Sequence, residues 1–194
     1  DSARTLRSLA EQGLFTSEIS STSGWYQYHQ LFREFLVSKL EADAPRLYRD
    51  LCLKEAHLMA NQGHWSWAID GYLSGKAHEE AAEAIEIIAQ DYFDDGRWPQ
   101  LETWIDALPE AVLQGHPRLL LFRARISTEA GDYAEAERLL EPAYTIYRER
   151  ESEIGTARVL TQRAIVQRLQ ERYGEAIRSC KDILETVSFS DDPS

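Results

Sequence analysis

A short pattern returns four times along the 194 residues of this chain and sets narrow limits on its fold. The anchors of the pattern are Gly63, Gly96, Gly131 and Glu171, which follow one another at intervals of 33, 35 and 40 residues. Self-similarity at a period of about 34 residues is typical of stacked helix pairs, because each pair buries its apolar face against the next. The period therefore predicts an all-α solenoid.

The residues around the anchors support the repeat. An alanine stands seven residues before each anchor and a tryptophan or tyrosine stands two residues after it. The alanines are Ala56, Ala89, Ala124 and Ala164, and the aromatic residues are Trp65, Trp98, Tyr133 and Tyr173. A small residue lets two helices approach closely, and a glycine ends a helix in a left-handed turn. We expect the alanines at helix crossings and Trp65 and Trp98 in the seams, with Trp67 exposed.

Apolar spacings of three and four residues place the helices of each pair. The predicted first helices are 46–62, 78–94, 117–130 and 153–171, and the predicted second helices are 65–73, 98–108, 133–148 and 173–187. Residues 46–187 are thus predicted to form about four tetratricopeptide-like helix pairs. A disordered tail is expected over residues 188–194.

The first 45 residues do not follow this period. They suggest a helix over 3–12, strands over 14–19 and 25–28 with a Ser/Thr/Gly-rich connection, and a helix over 31–40. Helix, hairpin and helix is the order found in the second half of a winged-helix domain. Residues 1–45 are therefore predicted to be the C-terminal part of a winged helix with a small β-hairpin.

Several longer segments carry a family resemblance, namely "GLF…WYQYHQLFREFL", "GYLSGKAHEEAAEAIE" and "LETWIDALPEAVLQGHPRLLLFRA". With them, essentially the whole chain resembles the large LuxR-type transcription regulators of the MalT-like group. Those regulators are signal-transducing ATPases with a nucleotide-binding domain, a winged helix, a helical-repeat sensor and a C-terminal helix-turn-helix. The resemblance implies that this chain is the sensor and regulatory part of a longer, cytoplasmic regulator.

The resemblance also implies partners and a role for His29. The nucleotide-binding domain of the same protein is an expected partner, and ATP or ADP is expected in the full-length protein, with no cofactor in this part. His29 in "YHQLF" is similar to a histidine that contacts the β-phosphate of ADP in related signal ATPases. The alternative is that His29 only begins a helix.

The predicted ligand groove is built from first-helix positions in the last two repeats. Its candidate residues are Arg118, Arg125, Arg158, Thr161 and Arg168, with Thr128 mapped to the same face. Guanidinium groups make bidentate contacts with carboxylates and phosphates, so the face could clamp an anion. The alternative is that the arginines pair with acidic neighbours such as Glu129 and Glu171.

Composition and motifs exclude several functions. A net charge of −12 repels a phosphate backbone and argues against nucleic-acid binding by this part. No apolar run of about 18 residues exists, so no membrane span is predicted. The five histidines lack metal-ligand spacing, and neither a phosphate loop nor a nucleophile elbow occurs, so neither a metal site nor an enzyme is expected.

Two functions remain in view. In the first, the repeats bind a small-molecule inducer or a protein partner in their groove and switch the regulator. In the second, the chain is a tetratricopeptide scaffold for protein interactions, without a nucleotide-linked switch. The segment around His29 favours the first, because a scaffold has no need of it.

Overall fold

The computed structural model describes residues 2–12, 15–18 and 26–188. The chain divides into two compact units between Cys52 and Leu53, inside one uninterrupted helix. The sequence places the boundary at residues 45 and 46, seven residues earlier. Of the predicted tail, residues 189–194 lie outside the described residues.

The first unit contains two helices and two short strands before the chain enters α3. The elements are α1 Ser2–Glu11, β1 Thr16–Glu18, β2 Tyr26–Tyr28, α2 Gln30–Asp43 and the start of α3 Pro45–Asn61. The strands pair antiparallel, with Thr16 opposite Tyr28 and Glu18 opposite Tyr26. Leu14, Ile19, Trp25 and the connection between the strands lie outside the described residues.

An aromatic group joins α2 to the strand ends in this unit. Phe32 on α2 stacks on Phe15 with ring centroids 4.9 Å apart, and it meets Tyr28 edge-on at 5.7 Å. The backbone amide of His29 donates to the carbonyl oxygen of Phe15 at 2.7 Å. These contacts hold His29 at the junction between β2 and α2.

The second unit is made of consecutive helices. They are α4 Trp65–Ser74, α5 His78–Asp94, α6 Trp98–Asp106, α7 Glu110–Gly115, α8 Pro117–Glu129, α9 Tyr133–Glu149, α10 Glu153–Leu169 and α11 Tyr173–Ser188. Every predicted repeat helix occurs with ends within two residues of the prediction. The sequence missed α7, a six-residue helix between Pro109 and Pro117. Because α5 contacts α8 and α8 contacts α10, the predicted helical-repeat solenoid is confirmed.

The first helix of a pair ends in a left-handed turn at each of the four anchors. Gly63, Gly96 and Gly131 have φ of +78°, +72° and +81°, and Glu171 has φ of +61°. At Gly131 the amide of the next residue, Asp132, donates to the carbonyl of Ser127 five residues back, at 2.8 Å. This is the hydrogen bond of a Schellman cap, which satisfies a carbonyl that the ending helix leaves free.

Replacing Glu171 with glycine is expected to raise the free energy of unfolding by about 1 kcal/mol, because only glycine adopts this backbone conformation without steric cost. Urea denaturation measures the change. The matched control is Gly131→Ala, at the equivalent turn, where an added Cβ meets no atom within 4 Å. The control should lose about as much stability as Glu171→Gly gains, since both residues have the left-handed backbone conformation that disfavours a side chain. A destabilised Glu171→Gly protein would contradict this reading of the turn.

The alanine column is buried in the structure. Ala56, Ala89 and Ala124 are fully buried, and Ala164 is nearly so. In the aromatic column, Trp65, Trp98 and Tyr133 are partly buried against the core, whereas Tyr173 on the last helix is exposed. The fourth repeat therefore keeps the aromatic residue of the sequence pattern, although no described residue buries Tyr173 on its second helix, α11.

Hydrogen bonds between neighbouring helix pairs repeat at the same period. In several of them the partners are separated by 34 or 35 residues, as in Trp104 Nε1 to Asp70 Oδ1 at 2.8 Å, Gln162 Nε2 to Thr128 Oγ1 at 2.9 Å, and Arg150 Nη2 to the carbonyl of Gly115 at 3.0 Å. One period along the chain is one step along the stack. Residues a period apart therefore meet, and they fix the spacing of the pairs.

Candidate ligand-binding groove

A pocket of about 640 Å³ opens on the face formed by the first helices of three successive pairs. Its walls come from Gln90 on α5, from four residues of α8 and from seven residues of α10. A volume of this size lies within the range of roughly 300–1,000 Å³ that small-molecule sites occupy. The surface predicted from the repeat register therefore contains a concavity.

Three of the predicted arginines line this pocket together. Arg118 and Arg125 come from α8 and Arg158 comes from α10, and the predicted Thr161 also lies in the wall. They share the pocket because each first helix turns the same register positions to the same face. Whether the pocket binds a ligand remains a prediction.

Arg125 is held in one orientation by three neighbours. Its guanidinium carbon lies 3.8 Å from the ring centroid of Phe93 and 5.1 Å from that of Phe122. Its Nη1 donates to Gln90 Oε1 at 3.2 Å, while Gln90 Nε2 donates to the carboxylate of Asp94 at 2.8 Å. Stacking and this amide bridge position the cation in advance, so an incoming anion would not need to order it.

The surroundings of Arg125 disfavour its charge. Burial lowers the pKa of its guanidinium below the ordinary value, and the carboxylates of Asp94 and Glu129 only partly oppose this. Arginine remains protonated at neutral pH in spite of such a shift. The result is a partly desolvated cation, which would gain from an anion placed against it.

The charges of Arg118 on α8 and Arg158 on α10 both act on Tyr147 of α9. Arg118 lies 5.7 Å from the ring centroid of Phe122. The pKa of Tyr147 is raised, mainly by burial and also by Glu86. The charges of Arg158 and Arg118 partly oppose this increase. Both guanidinium groups thus act on the same phenol, although Tyr147 is not part of the pocket wall.

The predicted alternative is pairing of the arginines with acidic neighbours, and the charges of Asp94 and Glu129 do act on Arg125. Across the part of the chain that the structure describes, no salt bridge joins Arg118, Arg125 or Arg158 to a carboxylate. Arg163, which lies outside the pocket, does pair with Glu141 at 2.8 Å.

The remaining groove predictions fall in other places. Arg168 lines a second, smaller pocket of about 240 Å³, which shares Thr161 with the first. Thr128 is buried rather than groove-facing, and its hydroxyl donates to the carbonyl of Ala124 at 2.7 Å while accepting from Gln162. The mapping of Thr128 was wrong because the packing of α10 against α8 covers that position.

The tryptophans and histidines have simpler surroundings. Trp67 is 65% exposed, as predicted, and Trp98 donates through Nε1 to the carbonyl of Phe93 at 2.8 Å. His29 precedes α2 as an exposed N-cap residue whose side chain makes no capping hydrogen bond. No cluster of three metal-ligating side chains occurs among the described residues. None of the described helices is long and apolar enough to span a bilayer.

Two segments of the chain match known domain families. Residues 1–48 match the MalT winged helix domain, and residues 117–186 match a tetratricopeptide repeat. The predicted resemblance to MalT-like regulators is confirmed. The first match covers His29, and the second covers α8 to α11 with all five predicted groove residues.

Relatives of this kind have been described in two species of Vibrio. A protein of Vibrio parahaemolyticus and one of Vibrio campbellii, each called HTH-type transcriptional regulator MalT, are 27% identical to this chain over 154 residues. The aligned region covers 79% of this chain and 17% of each relative. The chain thus spans less than a fifth of the length of these MalT proteins.

Proposed function

We propose that this chain is the sensor region of an ATP-dependent transcription regulator and that its groove binds an anionic inducer. The observation that carries the proposal is the pocket wall, where Arg118, Arg125 and Arg158 lie together without a salt bridge to any carboxylate among the described residues, in a chain of net charge −12. An acidic protein repels anions in general, so a local cluster of unpaired guanidinium groups favours a specific anionic ligand. The proposed role is binding rather than catalysis.

Switching requires the inducer to distinguish two states of the regulator. A ligand moves a two-state equilibrium only by its difference in affinity for the two states, and a shift of a few kcal/mol changes which state dominates. The pocket joins side chains from α5, α8 and α10, so a change in the stacking of these helices would alter the distance between its cations. We propose that the inducer prefers the stacking that goes with the ATP-bound, active regulator.

Thermal unfolding of the chain in the presence of small molecules tests the binding part of this proposal. A ligand that binds only the folded protein raises the melting temperature as its concentration exceeds the dissociation constant. We expect aromatic carboxylates and phosphates to raise the melting temperature of the chain. Neutral sugars, and the uncharged amides that correspond to the carboxylates, should leave the melting temperature unchanged. Stabilisation by neutral sugars without any by anions would show that the pocket does not select charge.

His29→Ala in the full-length regulator is expected to weaken retention of ADP by roughly 10- to 100-fold, the value of one hydrogen bond to a charged group. The imidazole is exposed and makes no capping hydrogen bond to its own helix, so its ring N–H can donate to a phosphate. The measurement is the nucleotide content of the purified protein, together with transcription without inducer, which should rise. His64→Ala is the matched control, since His64 is also an N-cap residue without a capping hydrogen bond. Unchanged ADP content in His29→Ala would contradict the role.

A further inference from the structure

The repeat register places two of the pocket arginines at one level of the stack. Arg118 stands thirteen residues before Gly131, and Arg158 stands thirteen residues before Glu171. The helices that carry them, α8 and α10, are in contact. Equivalent positions on adjacent first helices lie side by side, so this end of the pocket presents two guanidinium groups together.

The third arginine marks the other end of the pocket. Arg125 follows Arg118 by seven residues on the same helix, which corresponds to two turns or about 10 Å along the axis. Ile165 of α10 stands at the level of Arg125, so this end carries a single cation. The position of the Arg125 guanidinium is set by Gln90 and Phe93 of α5.

The wall between the two ends is apolar. Leu121 and Phe122 occupy the intervening turn of α8 and line the pocket. The Phe122 ring lies between the two arginines of α8, 5.7 Å from the guanidinium carbon of Arg118 and 5.1 Å from that of Arg125. A flat apolar body can rest here, because a ring surface offers contact area without hydrogen-bonding groups that would need partners.

The charge of the wall leaves room for two negative groups. Three arginines and one glutamate, Glu153, line the pocket, so its lining residues carry a net charge of plus two, while Asp94 and Glu129 act on Arg125 from outside the lining. Glu153 lies five residues before Arg158, beyond the two-arginine end. A ligand with one anionic group would leave a cation without a partner at one end.

We infer that the pocket takes a small dianion whose carboxylate or phosphate groups are held about 10 Å apart by a flat, apolar segment. This inference rests on the proposed function and specifies the chemical class of its inducer. The doubly charged contact lies at Arg118 and Arg158, and the second anionic group meets Arg125. Because Arg125 is partly desolvated, its contact with the second anionic group contributes more to the binding free energy.

Three probes of graded length and charge test this assignment by calorimetric titration of the chain. The first is biphenyl with a carboxylate at each end, whose two rings separate the charges. The second is the same biphenyl with one carboxylate, and the third is benzene with a carboxylate at each end. We expect the long dianion to bind at least about tenfold more tightly than either of the others, since one additional charged hydrogen bond is worth about that factor or more.

Two variants assign the ends of the pocket. Arg125→Gln should remove the advantage of the long dianion and change the affinity of the monoanion by less than about twofold, because the monoanion binds at the two-arginine end. Arg118→Gln combined with Arg158→Gln should weaken both biphenyl probes. Melting curves of each variant confirm that the fold is intact.

The outcomes separate this inference from the function on which it rests. Equal affinity for the long dianion and the monoanion, with both weakened by the arginine changes, would overturn the two-ended pocket and leave an anion-binding groove. Equal losses of affinity for both biphenyl probes in Arg125→Gln would also overturn the two-ended pocket and leave an anion-binding groove. Binding of none of the three probes would overturn the inference and the anionic groove together.

Discussion

Gly155→Ala is expected to lower the free energy of unfolding by about 3 kcal/mol, at the upper end of what overpacking a core usually costs. Gly155 is buried near the start of α10, where Tyr147 of α9 lies across it. A Cβ added at Gly155 would come within 2.5 Å of the Cγ atom of Tyr147, and it would be closer still to Cδ1 and Cε1. Because Cγ is the first ring atom, rotation of the ring about its own axis cannot relieve this contact.

The clash must therefore be relieved by moving Tyr147 or separating α9 from α10. Urea denaturation of the whole chain measures the loss. Gly174→Ala is the matched control, since Gly174 also lies near the start of a helix and an added Cβ there meets no atom within 4 Å. It should leave stability unchanged or raise it by up to about 1 kcal/mol through higher helix propensity.

A second change distinguishes the clash from a general loss of helix packing. Tyr147→Leu in the Gly155→Ala background removes most of the ring, so part of the lost stability should return. Coupling between residues in contact is expected to reach about 0.5–3 kcal/mol in such a double-mutant cycle. Strict additivity of the two changes would mean that Tyr147 does not close the space over Gly155.

Replacing Arg125 and Arg158 together with glutamine is expected to reduce the affinity for an anionic inducer by at least about 100-fold, because each guanidinium contributes a charged hydrogen bond worth about 1.5–3 kcal/mol. The two residues lie on α8 and α10 and line the same pocket. Glutamine keeps a polar side chain at each position while removing its charge. The measurements are ligand titration of the chain and transcription by the full-length regulator with and without inducer.

The control for this double change is another stacked arginine outside the pocket. Arg97 lies 3.6 Å above the ring centroid of Tyr92 and pairs with Asp95 at 2.7 Å. Arg97→Gln should keep the affinity and the response to inducer, since it removes a similar cation from a different surface. If an inducer that binds the unchanged protein bound the Arg125 and Arg158 double variant equally well, the assignment of the pocket would be wrong.

Much of the site could be predicted because repeat proteins convert sequence position into spatial position. Counting from the anchors places Arg118, Arg125, Arg158 and Thr161 on one face, and these four residues line one pocket. The mapping failed at Thr128, which is buried, and it placed Arg168 beside a different, smaller pocket. Helix periodicity gives the direction in which a side chain leaves its helix, but it does not say whether a neighbouring helix covers that side chain.

The contributions of Gln90, Phe93 and Tyr147 were not foreseen. Gln90 and Phe93 lie on α5, in the preceding repeat, and they position Arg125 on α8. A signal was present, because Gln90 precedes Arg125 by 35 residues, one repeat period. Contacts of this kind could be sought in other repeat proteins by pairing polar residues one period apart.

The sequence by itself determined the order of the helices and the positions of their turns. Glycines at the anchors and alanines seven residues earlier act through backbone sterics and side-chain size, which are local properties that a single chain displays directly. Only the tertiary structure decided which arginines lack a salt bridge among the described residues, that Thr128 is buried and where the pocket opens. Those outcomes depend on the spacing and rotation of one helix pair against the next, and many side chains from separate repeats set that geometry together.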